Sequence, residues 1–294
     1  MSKPTLSPPE SQKPLEPALY VAATPIGNAR DITLRALDVL RGCDAILAED
    51  TRTTSKLLSI HSISRPLLTY NDHNAPRVRP GILARLRRGD RIVLVSDAGT
   101  PLISDPGYKL VRAALAEGVS VQVLPGPSAA LAALVLAGLP TDRFLVAGFL
   151  PPRSGERRAT LEELKMSQSS LVFFESPQRL ADSLRDMQEI LGSRPAAVAR
   201  ELTKLHEEVR RDDLARLVEL YAEREQPRGE ITIVVGPPQQ AGPDFARADA
   251  LLDKALTFMP VRPAADLVAD ALKIPRRITY ARALSRRGAR TGEN

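Results

Sequence analysis

Short apolar runs recur along the first half of the chain, and each breaks into a turn of small and polar residues. The runs at 19–22, 45–48, 92–95 and 119–124 are rich in Val, Ile, Leu and Ala. Their length and β-branched content predict buried strands. Between them, residues 33–41 place Leu34, Leu37, Val39 and Leu40 at helical spacing, with Asp31 as a cap upstream, and 80–88 and 108–116 read as further helices. Residues 49–53 and 70–74 read as polar loops. Alternation of strand and helix predicts a largely parallel sheet.

Past Ser128 the pattern changes. Residues 129–137 are apolar on every side and predict a fully buried helix. A strand at 144–150 is followed by a basic, polar loop over 151–158 and a helix. Then come a strand at 170–174, a helix at 180–191, a strand at 196–199, a helix at 213–224 and a strand at 231–235. After a linker at 239–243, three helices are expected at 249–258, 262–272 and 276–287. The expected architecture is α/β. A disordered Pro-rich tail (1–17) precedes two α/β domains (18–127 and 128–238) with a cleft between them, and a small helical, basic module (244–294) follows.

Composition narrows the class. With 294 residues, 43% hydrophobic and 26% charged, the chain is long enough for two domains with sizeable cores. The single Cys43 excludes an internal disulfide framework. The longest apolar run, 129–139, is too short to span a bilayer, and the Pro-rich start lacks the apolar core of a signal peptide. A soluble, cytoplasmic protein without a membrane partner is expected. The net charge of +6 fits a polyanionic partner, or simply an Arg-rich composition. Its distribution says more: Arg276, Arg277, Arg282, Arg286, Arg287 and Arg290 follow one another with no acid among them. These suit the phosphates of a polyanionic partner, the alternative being a solvated helix face.

Candidate chemistry collects where strands end, as in other open α/β sheets. The loop Asp97-Ala98-Gly99-Thr100-Pro101, with Ile103 beyond it, combines close backbone approach at Gly99, the Thr100 hydroxyl and an apolar wall. Pro125-Gly126-Pro127-Ser128-Ala129 opens a helix whose N-terminus suits an anion, with Ser128 also a plain N-cap. No G-x-G-x-x-G is present. His73 and His206 lack zinc-ligand spacing, so no metal is expected. Glu49, Asp50 and Arg52 close another strand. They suit substrate alignment and proton transfer, or an internal ion pair that holds the loop. Glu201 and Lys204, after Arg200, suit RNA phosphate or ribose contacts, or a surface ion-pair cluster.

Seven motifs in order carry a resemblance that covers nearly the whole chain after the tail. They are Ala23-Thr24-Pro25-Ile26-Gly27-Asn28, Ala48-Glu49-Asp50-Thr51-Arg52, Ser96-Asp97-Ala98-Gly99-Thr100-Pro101, Leu124-Pro125-Gly126-Pro127-Ser128-Ala129, Phe174-Glu175-Ser176-Pro177, Arg200-Glu201-Leu202-Thr203-Lys204 and Arg228-Gly229-Glu230. The chain resembles the tetrapyrrole methylase superfamily of S-adenosylmethionine-dependent methyltransferases, and more closely its ribosomal RNA small-subunit methyltransferase I branch. The resemblance implies S-adenosylmethionine held in the interdomain cleft by Pro25, Asp97, Gly99, Thr100, Pro101, Ile103, Ser128, Ala129, Phe174 and Gly229. It implies a homodimer that methylates the 2′-hydroxyl of a cytidine (position 1402) in 16S rRNA of the small ribosomal subunit. Glu49, Asp50, Arg52, Glu201 and Lys204 are then the catalytic candidates. A methylase of a small tetrapyrrole has no need of the Arg-studded extension. A non-catalytic ribosome-assembly factor has no need of open, small-residue loops.

Overall fold

A computed structural model describes residues 14–102, 107–223, 226–238 and 244–291. The first sheet comprises β1 (Leu19–Ala22), β2 (Ala45–Ala48), β3 (Leu67–Thr69), β4 (Ile92–Val95) and β5 (Val121–Leu124), ordered β3-β2-β4-β1-β5 and parallel throughout. Every residue of β1, β2 and β4 is buried, because helices cover both faces. On one face, α1 (Leu34–Gly42) and α2 (Thr51–Ile60) seat Leu37, Leu40 and Leu58 on Tyr20, Ile46 and Val93. On the other, α3 (Ala75–Arg87) and α4 (Tyr108–Ala116) seat Leu83, Leu86 and Leu110 on Leu19, Leu47 and Leu94.

Two elements lie between 49 and 74, where the pattern predicts neither helix nor strand. α2 is a mostly polar sequence started by its cap Asp50, whose side chain accepts from the Arg52 N–H. β3 is a short, half-exposed edge strand. Residues 14–17, read with the tail, are also tied down: Leu15 packs on the first core and the Tyr20 hydroxyl donates to the Glu16 carbonyl at 2.8 Å.

The second sheet is mixed, ordered β6-β7-β10-β8-β9. β6 (Phe144–Phe149) runs parallel to β7 (Ser170–Glu175). β10 (Ile231–Val235) is antiparallel to β7 and to β8 (Pro195–Arg200), and β9 (Glu208–Asp213) closes the edge antiparallel to β8. β9 reads EVRRDD, a charged edge strand with no apolar alternation. One face carries α6 (Ser154–Leu164), α7 (Leu180–Leu191) and α8 (Leu214–Ala222). α6 begins inside the stretch read as a loop, and its Arg157 pairs with Asp186 of α7 at 2.6 Å, both buried.

The other face takes α5 (Ala129–Ala137), and here the expectation of a fully buried helix is corrected. Ala130, Ala133, Leu134 and Ala137 are buried, but Leu131 is 50% and Val135 75% exposed. An apolar helix without periodicity hides from sequence which of its faces is covered.

α9 (Phe245–Ala255), α10 (Val261–Leu272) and α11 (Arg276–Thr291) form a separate unit with its own core of Ala248, Leu252, Val261, Ala265, Val268 and Ala283. The unopposed arginine run is corrected too. Arg282 makes two bonds to Asp249 (2.8 and 2.6 Å) and lies over the Phe245 ring at 4.6 Å. Arg286 grips Asp253, and Arg276 reaches Asp270 at 3.3 Å. Acids of α9 and α10 thus pair with Arg276, Arg282 and Arg286. Residues 244–291 still hold ten Lys and Arg against five Asp and Glu. No helix among the described residues is long and apolar enough to cross a membrane.

Arg194 is 3% exposed, and no carboxylate among the described residues pairs with it. Its Nε donates to the Leu191 carbonyl at 3.0 Å, at the end of α7, and a terminal nitrogen donates to the Lys165 carbonyl, at the end of α6. Burial pushes its pKa down. The negative ends of two helices stand in for a counterion. Arg194→Ala strands both carbonyls, and chemical denaturation is expected to show a loss of about 3 kcal/mol.

Candidate functional site

The site is assembled at the carboxyl ends of the first sheet's strands. The loops after β1 and β4 are locked by a reciprocal backbone pair: Thr24 N–H donates to the Gly99 carbonyl at 2.9 Å, and Gly99 N–H to the Thr24 carbonyl at 3.0 Å. Gly99 has φ +77°, and Ile26 Cγ2 lies 3.4 Å from where its Cβ would be. A side chain here is therefore strained before any ligand is considered. Thr100 Oγ1 donates to the Pro127 carbonyl at 3.2 Å, tying the β5 loop to the same group. Ser128 caps α5.

These loops face the second sheet across a cleft of about 390 Å³. Gly99, Thr100, Ser128, Ala129, Phe174 and Gly229 all line it. Ile26, Ala98, Leu202 and Glu230 join them from within the sequence motifs, and Phe149 and Ile231 from outside them. The Phe149 and Phe174 rings lie 5.5 Å apart, making an aromatic wall. Beneath it, Glu175 is satisfied by Arg179 (2.6 Å), the Ser176 N–H (2.7 Å) and the Ser183 hydroxyl (2.6 Å), which marks it as architectural.

A second cleft of about 250 Å³ adjoins the first, and both are bordered by Ile26, Ala98 and Glu230. Pro25 and Asp97 line this one instead, with Thr53, Leu57, Ile60 and Lys204. Pro101 lies behind its loop with Glu49, Tyr70 and Leu94 and lines neither cleft. Ile103 lies outside the described residues.

Of the catalytic candidates, Lys204 alone lines either cleft. Its Nζ donates to Glu201 Oε1 (2.7 Å) and Glu230 Oε2 (3.1 Å). Desolvation works against its charge, but the bonds to Glu201 and Glu230 prevail and raise its pKa. Glu201 is a support, its pKa lowered chiefly by Lys204. This loop comes close because two glycines admit it. A Cβ on Gly229 (φ +95°) would collide with the Glu201 carboxylate, and one on Gly27 would lie 2.8 Å from the Leu202 carbonyl. Glu201 and Thr203 adopt left-handed φ of 52° and 63°, and the Asn28 N–H donates to Thr203 Oγ1 at 3.1 Å, joining the loops of the two sheets.

Asp50 and Arg52 pair with each other, from Arg52 Nε (3.0 Å) and a terminal nitrogen (2.6 Å), so the internal pair is the arrangement found. The side-chain bond from Arg52 lowers the Asp50 pKa to about 2. Asp97 Oδ1 accepts from the Asp50 N–H at 2.9 Å. Glu49 is raised, first by desolvation and then by Asp97, Asp72 and Asp50. Among the described residues no three His, Cys, Asp or Glu are grouped to hold a metal.

Paired parallel and mixed sheets around one cleft are the fold of a class of methyltransferases. The chain is similar to cobalt precorrin-4 methyltransferase (TM-score 0.54, 20% identity, 74% of this chain and 94% of that one). It is also similar to uroporphyrin-III C-methyltransferase from Thermus thermophilus complexed with S-adenosyl homocysteine (0.52, 20%, 74% and 96%) and to diphthine synthase (0.55, 14%, 74% and 89%). Residues 18–218 match the model of Tetrapyrrole (Corrin/Porphyrin) Methylases, and 242–287 that of the RsmI C-terminal HTH domain.

Proteins named ribosomal RNA small subunit methyltransferase I share 48% identity in Mesorhizobium japonicum (92% of this chain, 93% of that one) and 44% in Escherichia coli O157:H7 (92% and 96%). The chain belongs to the ribosomal RNA small subunit methyltransferase I family of the tetrapyrrole methylases.

The Glu49 environment has a testable consequence. Its raised pKa means that the folded state holds a proton the unfolded chain has released, so stability falls as pH rises through the interval above the ordinary glutamate value. Glu49→Gln removes that penalty. Thermal melting is expected to show the variant gaining on the wild type at pH 8 and losing that gain at pH 4, where both side chains are neutral.

Proposed function

We propose that the protein transfers a methyl group from S-adenosylmethionine to the 2′-hydroxyl of a cytidine, position 1402, in 16S rRNA of the small ribosomal subunit in the cytoplasm. The observation that carries this is the pair of adjoining clefts, one largely apolar and one with a fixed ammonium, sharing Ile26, Ala98 and Glu230. The first cleft suits the donor. The first-turn N–H groups of α5 at Ala129 favour its carboxylate, Phe149 and Phe174 wall its base, and Gly99 leaves room for close backbone approach. S-adenosylmethionine supplies an electrophilic methyl group on a sulfonium.

The chain's own residues supply alignment. Lys204 stays protonated between Glu201 and Glu230, so it steadies negative charge on the attacking oxygen or a neighbouring phosphate and does not act as the base. Asp97 and Glu230 are the carboxylates on the second cleft that accept the hydroxyl proton. The helical module, with its surplus of basic residues, contributes RNA affinity.

Labelled S-adenosylmethionine with 30S particles or naked 16S rRNA tests the reading: label is expected in a 2′-O-methylcytidine after nuclease digestion. Lys204→Met is expected to lower turnover about 100-fold or more with S-adenosylmethionine affinity little changed. Label on carbon of a tetrapyrrole, and none on RNA, overturns the proposal.

A homodimer is proposed on the exposed apolar side chains of three consecutive elements: Val123 of β5, Leu131 and Val135 of α5, and Phe144 and Leu145 of β6. Such a surface is that of an interface between copies. Light scattering is expected to give twice the chain mass, and Val135→Glu to give the monomer.

A further inference from the structure

The second cleft has a wall that methyl transfer itself does not require. Thr53, Leu57 and Ile60 stand at i, i+4 and i+7 on α2 and all line it. The helix buries Leu58 in the core of the first sheet, and Thr54, also buried, lines the cleft beside the stripe, whose Ile60 is left 64% exposed. Pro25 extends the apolar surface. At the other end are the polar groups of Asp97, Lys204 and Glu230.

The two ends have a fixed order relative to the chemistry. Ile26, Ala98 and Glu230 border both clefts, so a hydroxyl that meets the donor's methyl group lies at that border. Whatever is attached to the hydroxyl extends toward α2. For a ribose, the groups flanking that hydroxyl are the base on C1′ and the phosphate on C3′, and of the two the apolar wall suits the base.

We propose that the Thr53, Leu57 and Ile60 stripe receives the target nucleobase, extruded singly from the RNA, while its ribose lies beside Lys204. This rests on the RNA methyltransferase reading and adds where the nucleotide goes. A space of about 250 Å³ takes one nucleoside and not a base pair, so the target leaves its stack before reaction. Leu57 and Ile60 cover the flat face of the base, and the Thr53 hydroxyl is the polar group on that wall.

Thr53→Trp fills the wall and Ile60→Ala removes its apolar rim, both at exposed helix positions. S-adenosylmethionine affinity by calorimetry and the melting temperature are expected to match the wild type. Methylation of 30S particles is expected to fall about 100-fold for Thr53→Trp and, through KM, about tenfold for Ile60→Ala. As an independent readout, an RNA carrying pyrrolocytosine at the target is expected to brighten on binding the wild type, because the base unstacks, and to stay quenched with Thr53→Trp. Wild-type kinetics in both variants, or a quenched base in the wild-type complex, overturns the pocket while leaving the methyltransferase reading intact. Absence of methyl transfer by the wild type overturns both.

Discussion

The approach of two loops around one ammonium is the constraint on which the site depends. The Glu201–Lys204 segment belongs to the second sheet, yet Asn28 of the first binds Thr203, and Gly27 lies against the same segment. A β-carbon on Gly27 or Gly229 would collide with that segment, and Glu201 and Thr203 hold left-handed backbone within it. Strain of that kind persists only where the surroundings over-determine it. Here the surroundings are two salt bridges to Lys204 and a backbone bond between Glu201 and Glu230. The two clefts meet at Glu230 because this knot is tied there.

Charge in this protein is largely settled close to where it arises. Asp50 is neutralised by Arg52 two residues away, Arg276, Arg282 and Arg286 of α11 by acids of α9 and α10, and Arg194 by two helix ends. Lys204 is neutralised as well, but on the wall of a cleft, where a partial exposure leaves it able to meet a further ligand. What distinguishes the candidate catalytic cation from the structural ones is therefore its position, since its pairing is much the same.

Much of the fold is legible in the sequence where burial is complete. β1, β2, β4 and β10 are short apolar runs because both their faces are covered. β9 is not legible because a charged edge strand carries no alternation, and α2 is hidden because six polar residues precede its first leucine. α5 fails in the opposite way, since a helix apolar all round cannot declare its exposed face. The site divides similarly. Turns rich in Gly, Pro and Ser announce Gly99, Ser128 and Gly229, whereas Ile26, Leu202 and Ile231 on the same cleft look like any core residue. The acids and bases are legible as types only. Whether Asp50 meets Arg52 or Lys204 meets a cleft is decided by loop geometry that spacing does not encode.

The surplus of basic residues in the helical unit shapes the encounter that comes before any chemistry. With a net charge of +6 for the chain and ten basic against five acidic residues within 244–291, most of the excess is confined to one small body. A polyanion's field therefore pulls on one part of the molecule and leaves the larger part nearly indifferent. Beyond roughly 8 Å that pull is screened at physiological ionic strength. On the proposed RNA reading, salt then governs arrival through that unit, while the clefts govern what happens after it.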